Sequence, residues 1–118
     1  MSITFYNNNG VPVAYSDDGC HIFLFTGEPV AYLYNISVYS YLGNHLGFFE
    51  DGWIYDNSGA RVFFTEKASG GPAKPAKRAR PSKGSKRSKP SKRSKRSRPS
   101  KPAKRQSWSD LSSQLFFS

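Results

Sequence analysis

Tyr39-Ser40-Tyr41-Leu42-Gly43-Asn44-His45-Leu46-Gly47-Phe48-Phe49-Glu50-Asp51-Gly52-Trp53-Ile54-Tyr55-Asp56 holds the plan of the first half of the chain. Gly43 has Tyr39 four residues before it and Leu46, Gly47 and Phe48 three, four and five residues after it. Tyr55 then opens the same motif ahead of Gly59. Working outward, Gly10, Gly27, Gly43 and Gly59 stand at spacings of 17, 16 and 16 residues. Five before each glycine comes Phe5, Ile22, Val38 or Ile54, and four before comes Tyr6, Phe23, Tyr39 or Tyr55. Three after comes Val13, Val30, Leu46 or Val62; four after, Ala14, Ala31, Gly47 or Phe63; five after, Tyr15, Tyr32, Phe48 or Phe64. A unit of about 16 residues therefore occurs four times, and a repeat of that kind sets the architecture.

Each unit reads as a β-hairpin. Its flanks are rich in Tyr, Phe, Val and Ile, which suit a pleated, half-buried surface. The glycine stands where a tight turn needs a positive φ, in strings such as Asn7-Asn8-Asn9-Gly10 and Asp56-Asn57-Ser58-Gly59. Asp17-Asp18-Gly19 and Glu50-Asp51-Gly52 read as equivalent link turns between units. Pro12 and Pro29, each two residues after a turn glycine, read as strand starts because proline donates nothing to a ladder. The expectation is an all-β, pseudo-fourfold flower or barrel of about eight short strands in residues 1–66. Closure limits exposed edges, and fifteen of the 18 aromatic residues lie in this segment to supply its core.

On these units, and on Tyr39–Asp56 most of all, residues 2–66 resemble the bacterial 4-fold beta flower domain family, and the resemblance extends to the last ten residues. It implies a small flower of four hairpins and carries no activity to any position. Unit two departs from the pattern, with Phe25-Thr26-Gly27-Glu28 in place of an Asn-rich turn.

Charge divides the chain sharply. Residues 1–66 hold seven acids and one base, Arg61, whereas residues 67–106 hold seventeen bases and no acid. Between Lys67 and Gln106 there is no Ile, Leu, Val or aromatic residue, and six of the eight prolines lie there. Such a segment lacks the apolar surface to offset its ordering entropy, so residues 67–106 are expected to be a disordered polybasic linker. Serine recurs every third residue from Ser82 to Ser100 with bases in the gaps, a composition that resembles the Lys/Ser/Pro-rich tails of linker histones. Each serine is a potential phosphate acceptor, which would subtract charge.

A row of cations releases counterions from a polyanion and binds it with little regard to sequence. The expected contacts are Lys77, Arg78, Arg80, Lys86, Arg87, Lys92, Arg93, Lys95, Arg96, Arg98, Lys104 and Arg105. No aromatic interleaves them, so phosphate contact rather than base stacking is the expected mode. About ten such contacts would give a log–log salt slope of roughly −9. The alternatives are a protein-interaction or structural module whose basic segment contacts its own acidic domain, and an anionic membrane or polyphosphate as the polyanion.

Residues 107–118 turn apolar again. Trp108, Leu111, Leu115 and Phe116 fall at i, i+3, i+7 and i+8, one face of a short helix that would dock on the β-domain or on a partner. Ser107 and Asp110 fit a capping-box variant.

No nucleophile motif, metal-ligand spacing or phosphate-cradling loop is present, so a non-enzymatic module without cofactor, metal or catalytic residues is expected. Cys20 and His21 are adjacent on a strand and point to opposite faces, and His45 reads as exposed. Cys20 is the single cysteine, and neither a signal peptide nor an apolar run of membrane-spanning length is visible. A cytoplasmic setting is the expectation, with nucleoid association as a corollary of the basic segment.

Overall fold

The computed structural model describes residues 2–118. Eight strands form one closed antiparallel barrel in chain order: β1 (Ile3–Tyr6), β2 (Pro12–Ser16), β3 (His21–Leu24), β4 (Pro29–Tyr34), β5 (Ser37–Tyr39), β6 (His45–Glu50), β7 (Trp53–Asp56) and β8 (Arg61–Phe64). Pairing of Tyr6 with Phe64 closes the ring and leaves no sheet edge. The four repeats are the hairpins β1–β2, β3–β4, β5–β6 and β7–β8, and Pro12 and Pro29 open β2 and β4 as expected. All four turns close alike. The N–H of Gly10, Gly27, Gly43 and Gly59 donates to the carbonyl of Asn7, Leu24, Ser40 and Asp56, each glycine at a φ between 76° and 98°.

A bulge recurs at one place in every hairpin. Phe5 pairs with Ala14 and Tyr6 with Pro12, so Val13 is the extra residue; Val30, Leu46 and Val62 are its counterparts. The bulge breaks strict alternation. That is why two consecutive columns, Val13/Val30/Leu46/Val62 and Ala14/Ala31/Gly47/Phe63, both serve the interior. The inner layer is completed by Phe5, Ile22, Val38 and Ile54, all fully buried. Three of its four second-strand positions are Ala, Ala and Gly, which leaves room on the barrel axis.

The C-terminus fills that room. The helix α1 (Ser113–Phe117), capped by the Ser112 hydroxyl, sends Phe116 into the core edge-on to Phe63, ring centroids 5.6 Å apart. A Cβ on Gly47 would stand 2.0 Å from the Tyr55 carbonyl oxygen and 3.1 Å from the Phe116 ring, so both the neighbouring strand and the plug need this position small. The docking face read from the sequence needs correction. Helix covers only five residues, Phe116 and Phe117 pack inward, and Trp108 lies on Trp53 and Phe64 before the helix begins. Leu111 and Leu115 are 40% and 61% exposed. The short element is oriented by its anchor to β8, where Arg61 N–H donates to Ser107 and Ser109 N–H donates to Arg61, and not by its own periodicity.

The basic segment also departs from expectation. It has no regular secondary structure, but it does not hang free: it runs as an extended strap around the outside of the barrel. The N–H groups of Arg78, Arg87, Arg96 and Arg105 donate to the carbonyls of Gly10, Gly27, Gly43 and Gly59, each at 2.9 Å. The four donors are nine residues apart, one per hairpin. A full circuit is then 36 residues; at a rise of about 3.1 Å per residue this is a circle about 36 Å across. The molecule measures 35 × 35 × 24 Å, so the strap is its rim. Backbone hydrogen bonds, which composition does not report, supply what the missing apolar side chains cannot.

Two predictions follow from this packing. Phe116→Ala should cost about 3–5 kcal/mol in denaturant unfolding, whereas Leu115→Ala should stay within about 0.5 kcal/mol. Gly27→Ala should strain a φ of 98° and place its methyl carbon 1.9 Å from the Ser85 carbonyl oxygen of the strap. Gly19→Ala, also at positive φ but with nothing within 4 Å, is the control. Amide exchange at Arg87 should accelerate in the first variant and not in the second.

Candidate nucleic-acid interface

The strap is itself a repeat. Pro72, Pro81, Pro90 and Pro99 open four nine-residue units, each with Lys at its third and sixth positions and Arg at its seventh. The three-residue serine period masks this longer one, which was the available signal that the segment has a register. Strap and barrel agree in detail. Gly84 and Arg93 donate their N–H to the carbonyls of Phe25 and Tyr41 in hairpins two and three. The equivalent residues in the outer units are Pro75 and Pro102, which have no N–H, and they lie beside Gly10 and Gly59. Each turn glycine also gives way to the strap backbone. A Cβ there would lie 1.9–2.2 Å from the carbonyl oxygen of Ala76, Ser85, Ser94 or Ala103.

Outward-facing aromatics meet in stacked pairs between hairpins: Tyr6 with Phe64, Tyr15 with Phe23, and Tyr32 with Tyr39. Phe48 and Tyr55 hold the equivalent paired positions. Strap lysines lie over these rings. Lys83 is 4.4 Å from the Tyr15 centroid, Lys92 4.6 Å from Tyr32, Lys95 4.6 Å from Tyr34 and Lys104 5.4 Å from Tyr55. Cation–π attraction thus joins two columns that are separate in sequence. Two of these lysines, with Lys86 and Lys101, also reach the link-turn acids. Lys83 and Lys86 pair with Asp17, Lys101 with Glu50, and Lys104 with Glu50 and Asp51.

One buried cation closes the belt. Arg61, 4% exposed, lies 4.7 Å from the Trp53 ring centroid and 4.9 Å from that of Tyr55. Its Nε donates to the Arg105 carbonyl at the end of the strap, and its Nη1 lies against Gly71 at the start. Trp53 Nε1 donates to Ser69, fixing the approach.

Of the twelve expected contact residues, Lys86, Lys92, Lys95 and Lys104 are engaged with the barrel in this way. Arg78, Arg80, Arg87, Arg93, Arg96, Arg98 and Arg105 are exposed and have no ion pair among the described residues; Lys77 is likewise exposed and unpaired. The strap is therefore two-sided: the lysines over the rings and at the link-turn acids hold it, and the arginines are left exposed.

The cysteine and both histidines are engaged. His21 pairs with Asp18, and Cys20 Sγ approaches the Leu33 carbonyl. Burial raises the Asp18 carboxyl, but bonds from the His21 ring and from the His21 and Cys20 N–H groups outweigh it and hold it well below the usual range. His45 is not the free surface residue expected. It bonds Asn57 and Ser37 and packs edge-on to Tyr39 and Phe48, and burial lowers its pKa. Among the described residues no group of three or more His, Cys, Asp or Glu is placed to hold a metal ion, and no helix is long and apolar enough to cross a membrane.

Hydrogen bonds from Lys86 and then Lys83 hold Asp17 down to about 2, and Lys101 and Lys104 similarly lower Glu50. A depressed carboxylate stabilises the state that contains its partner above the free-chain pKa, and that stabilisation is lost as pH falls through the depressed value. The strap should therefore stay docked at pH 5 and loosen between about pH 4 and 2. Ring-current-shifted resonances of Lys83 and Lys86, followed by NMR, should collapse towards random-coil values across that window; no movement above pH 1.5 would refute the assignment.

The chain matches the family model described as 4-fold beta flower protein over residues 3–117, a span that includes the strap and the plug as well as the barrel. No curated protein and no solved structure gives a match. Fourfold hairpin repeats, a barrel closed in chain order and a family match along nearly the whole length agree: the chain belongs to the 4-fold beta flower family.

Proposed function

We propose that this protein is a non-enzymatic module that binds nucleic acid without sequence preference, through the arginines of its strap. The observation that carries this reading is the two-sidedness of the belt. The backbone N–H of Arg78, Arg87, Arg96 and Arg105 is used to dock the strap, while their guanidinium groups stay exposed and without acidic partners. Guanidinium forks suit bidentate contact with phosphate, and docked backbone lowers the entropy lost on binding. Nothing in such contacts reads base edges, so affinity is electrostatic and salt-dependent.

A second reading is favoured by the ion pairs of Lys83, Lys86, Lys101 and Lys104: the basic segment serves only its own barrel, and the module is structural. The two separate cleanly. Replacing the seven strap arginines with serine keeps every backbone donor, so the melting temperature should hold within a few degrees. Duplex and single-strand retention in a mobility-shift series at 0.1 M salt should fall by at least about 100-fold. Replacing Lys83, Lys86, Lys101 and Lys104 with serine should do the reverse, loosening the strap while much of the retention survives. Unchanged retention in the arginine variant would overturn the assignment to the arginines, and absence of retention by the unaltered chain would leave the structural reading standing.

A further inference from the structure

Going deeper into the nucleic-acid reading, on which it rests, we infer that the docked belt bridges two separate duplexes from opposite edges of one molecule. The strap's charge is not spread evenly around the rim. Lys83 and Lys86 are held at Asp17, on the link between hairpins one and two. Lys101 and Lys104 are held at Glu50 and Asp51, on the link between hairpins three and four. Those two links are opposite each other in a ring of four hairpins. Unpaired cations are thereby concentrated in two arcs, one running from Arg105 round to Lys77, Arg78 and Arg80, the other from Arg87 and Lys89 to Arg93, Arg96 and Arg98.

The arcs are diametrically placed. Arg78 is pinned to the turn of hairpin one and Arg96 to the turn of hairpin three. The molecule is 35 Å across in that plane. A duplex is straight on this scale, with a persistence length of about 500 Å, and bending it around so tight a rim would cost several kcal/mol. A straight rod therefore touches one arc and leaves the other free. The gap between arcs exceeds the Debye length of about 10 Å at 0.1 M salt several-fold, so occupation of one arc barely repels a duplex from the other. A free tail behaves differently, because it can lay all of its cations along one duplex.

The salt dependence separates the two states. About four or five phosphate contacts from one arc give a log–log slope of about −4, whereas about ten contacts from a released tail give about −9. Bridging is read by energy transfer between donor-labelled and acceptor-labelled 20-base-pair duplexes mixed with the full chain at 50 mM salt. Transfer should peak near one protein per two duplexes and fall when protein is in excess. Arg105→Ser/Lys77→Ser/Arg78→Ser/Arg80→Ser and Arg87→Ser/Lys89→Ser/Arg93→Ser/Arg96→Ser/Arg98→Ser should each retain a single duplex in a mobility shift and lose the transfer signal. Retention by the unaltered chain with no transfer at any ratio overturns bridging and leaves nucleic-acid binding intact. Transfer that survives in either single-arc variant also overturns it, because it would come from association between protein copies. Absence of any retention overturns the nucleic-acid reading and bridging together.

Discussion

The structure depends on a backbone contact repeated four times: the carbonyl of a turn glycine accepting an N–H from an arginine of the strap. The glycine answers two demands at once. The hairpin needs its positive φ, and the strap needs the space where a side chain would begin. Because the contact is made by main chain, it leaves both side-chain faces of the strap available. Because it recurs once per hairpin, the barrel's fourfold geometry dictates a nine-residue period on a segment that has no secondary structure of its own. The rim's dimensions and the strap's length then agree without adjustment, since four times nine extended residues make one circuit of the molecule.

The barrel was legible in the sequence because its information is carried by side chains. Columns of Phe/Ile/Val, Tyr/Phe and Gly reported the hairpins directly, and Pro12 and Pro29 marked strand starts. Even the bulge left a trace, as two neighbouring apolar columns where alternation allows one. The strap was not legible by the same means. Composition measures what side chains can bury, and Lys, Arg, Ser and Pro bury little; residues 67–106 therefore read as a chain that could not order itself. That inference about the isolated segment does not extend to a segment with a grooved, acid-studded surface beside it. The prolines at 75 and 102, standing where no donor is needed, and Gly84 and Arg93, standing where one is, were in plain view but become meaningful only against the hairpin carbonyls.

The site divides its labour by residue type for a physical reason. A lysine ammonium is a compact charge on a flexible stem, able to lie over a Tyr or Phe ring while reaching a neighbouring carboxylate. Lys83 does both, at 4.4 Å from the Tyr15 centroid and 3.1 Å from Asp17. Arginine's planar fork has less to gain from a solvated single carboxylate and more from a phosphate. The one arginine that does turn inward, Arg61, is nearly dry, stacked on Trp53 and Tyr55, and bonded to the strap's own backbone. Two adjacent functions, holding the belt and presenting charge, thus avoid competing for the same groups.

The C-terminal plug changes the physics of everything between it and the barrel. A polybasic tail with one fixed end is a polymer, with an r.m.s. reach of roughly 35 Å over 40 residues. The same residues with Trp108 against Trp53 and Phe116 inside the core are a loop whose two ends both lie beside β8. Loop-closure entropy is charged once, to the burial of the plug, and each strap contact made afterwards orders only its own few residues. Weak, salt-sensitive contacts such as the exposed ion pairs can then open one at a time without freeing the belt, because neighbouring glycine contacts and both anchors persist. A cationic segment with no apolar residue can in this way be held at a defined radius around a barrel. Anchoring at its ends, which lets the four glycine contacts along its length form at little further entropic cost, is what makes it a rim and not a tail.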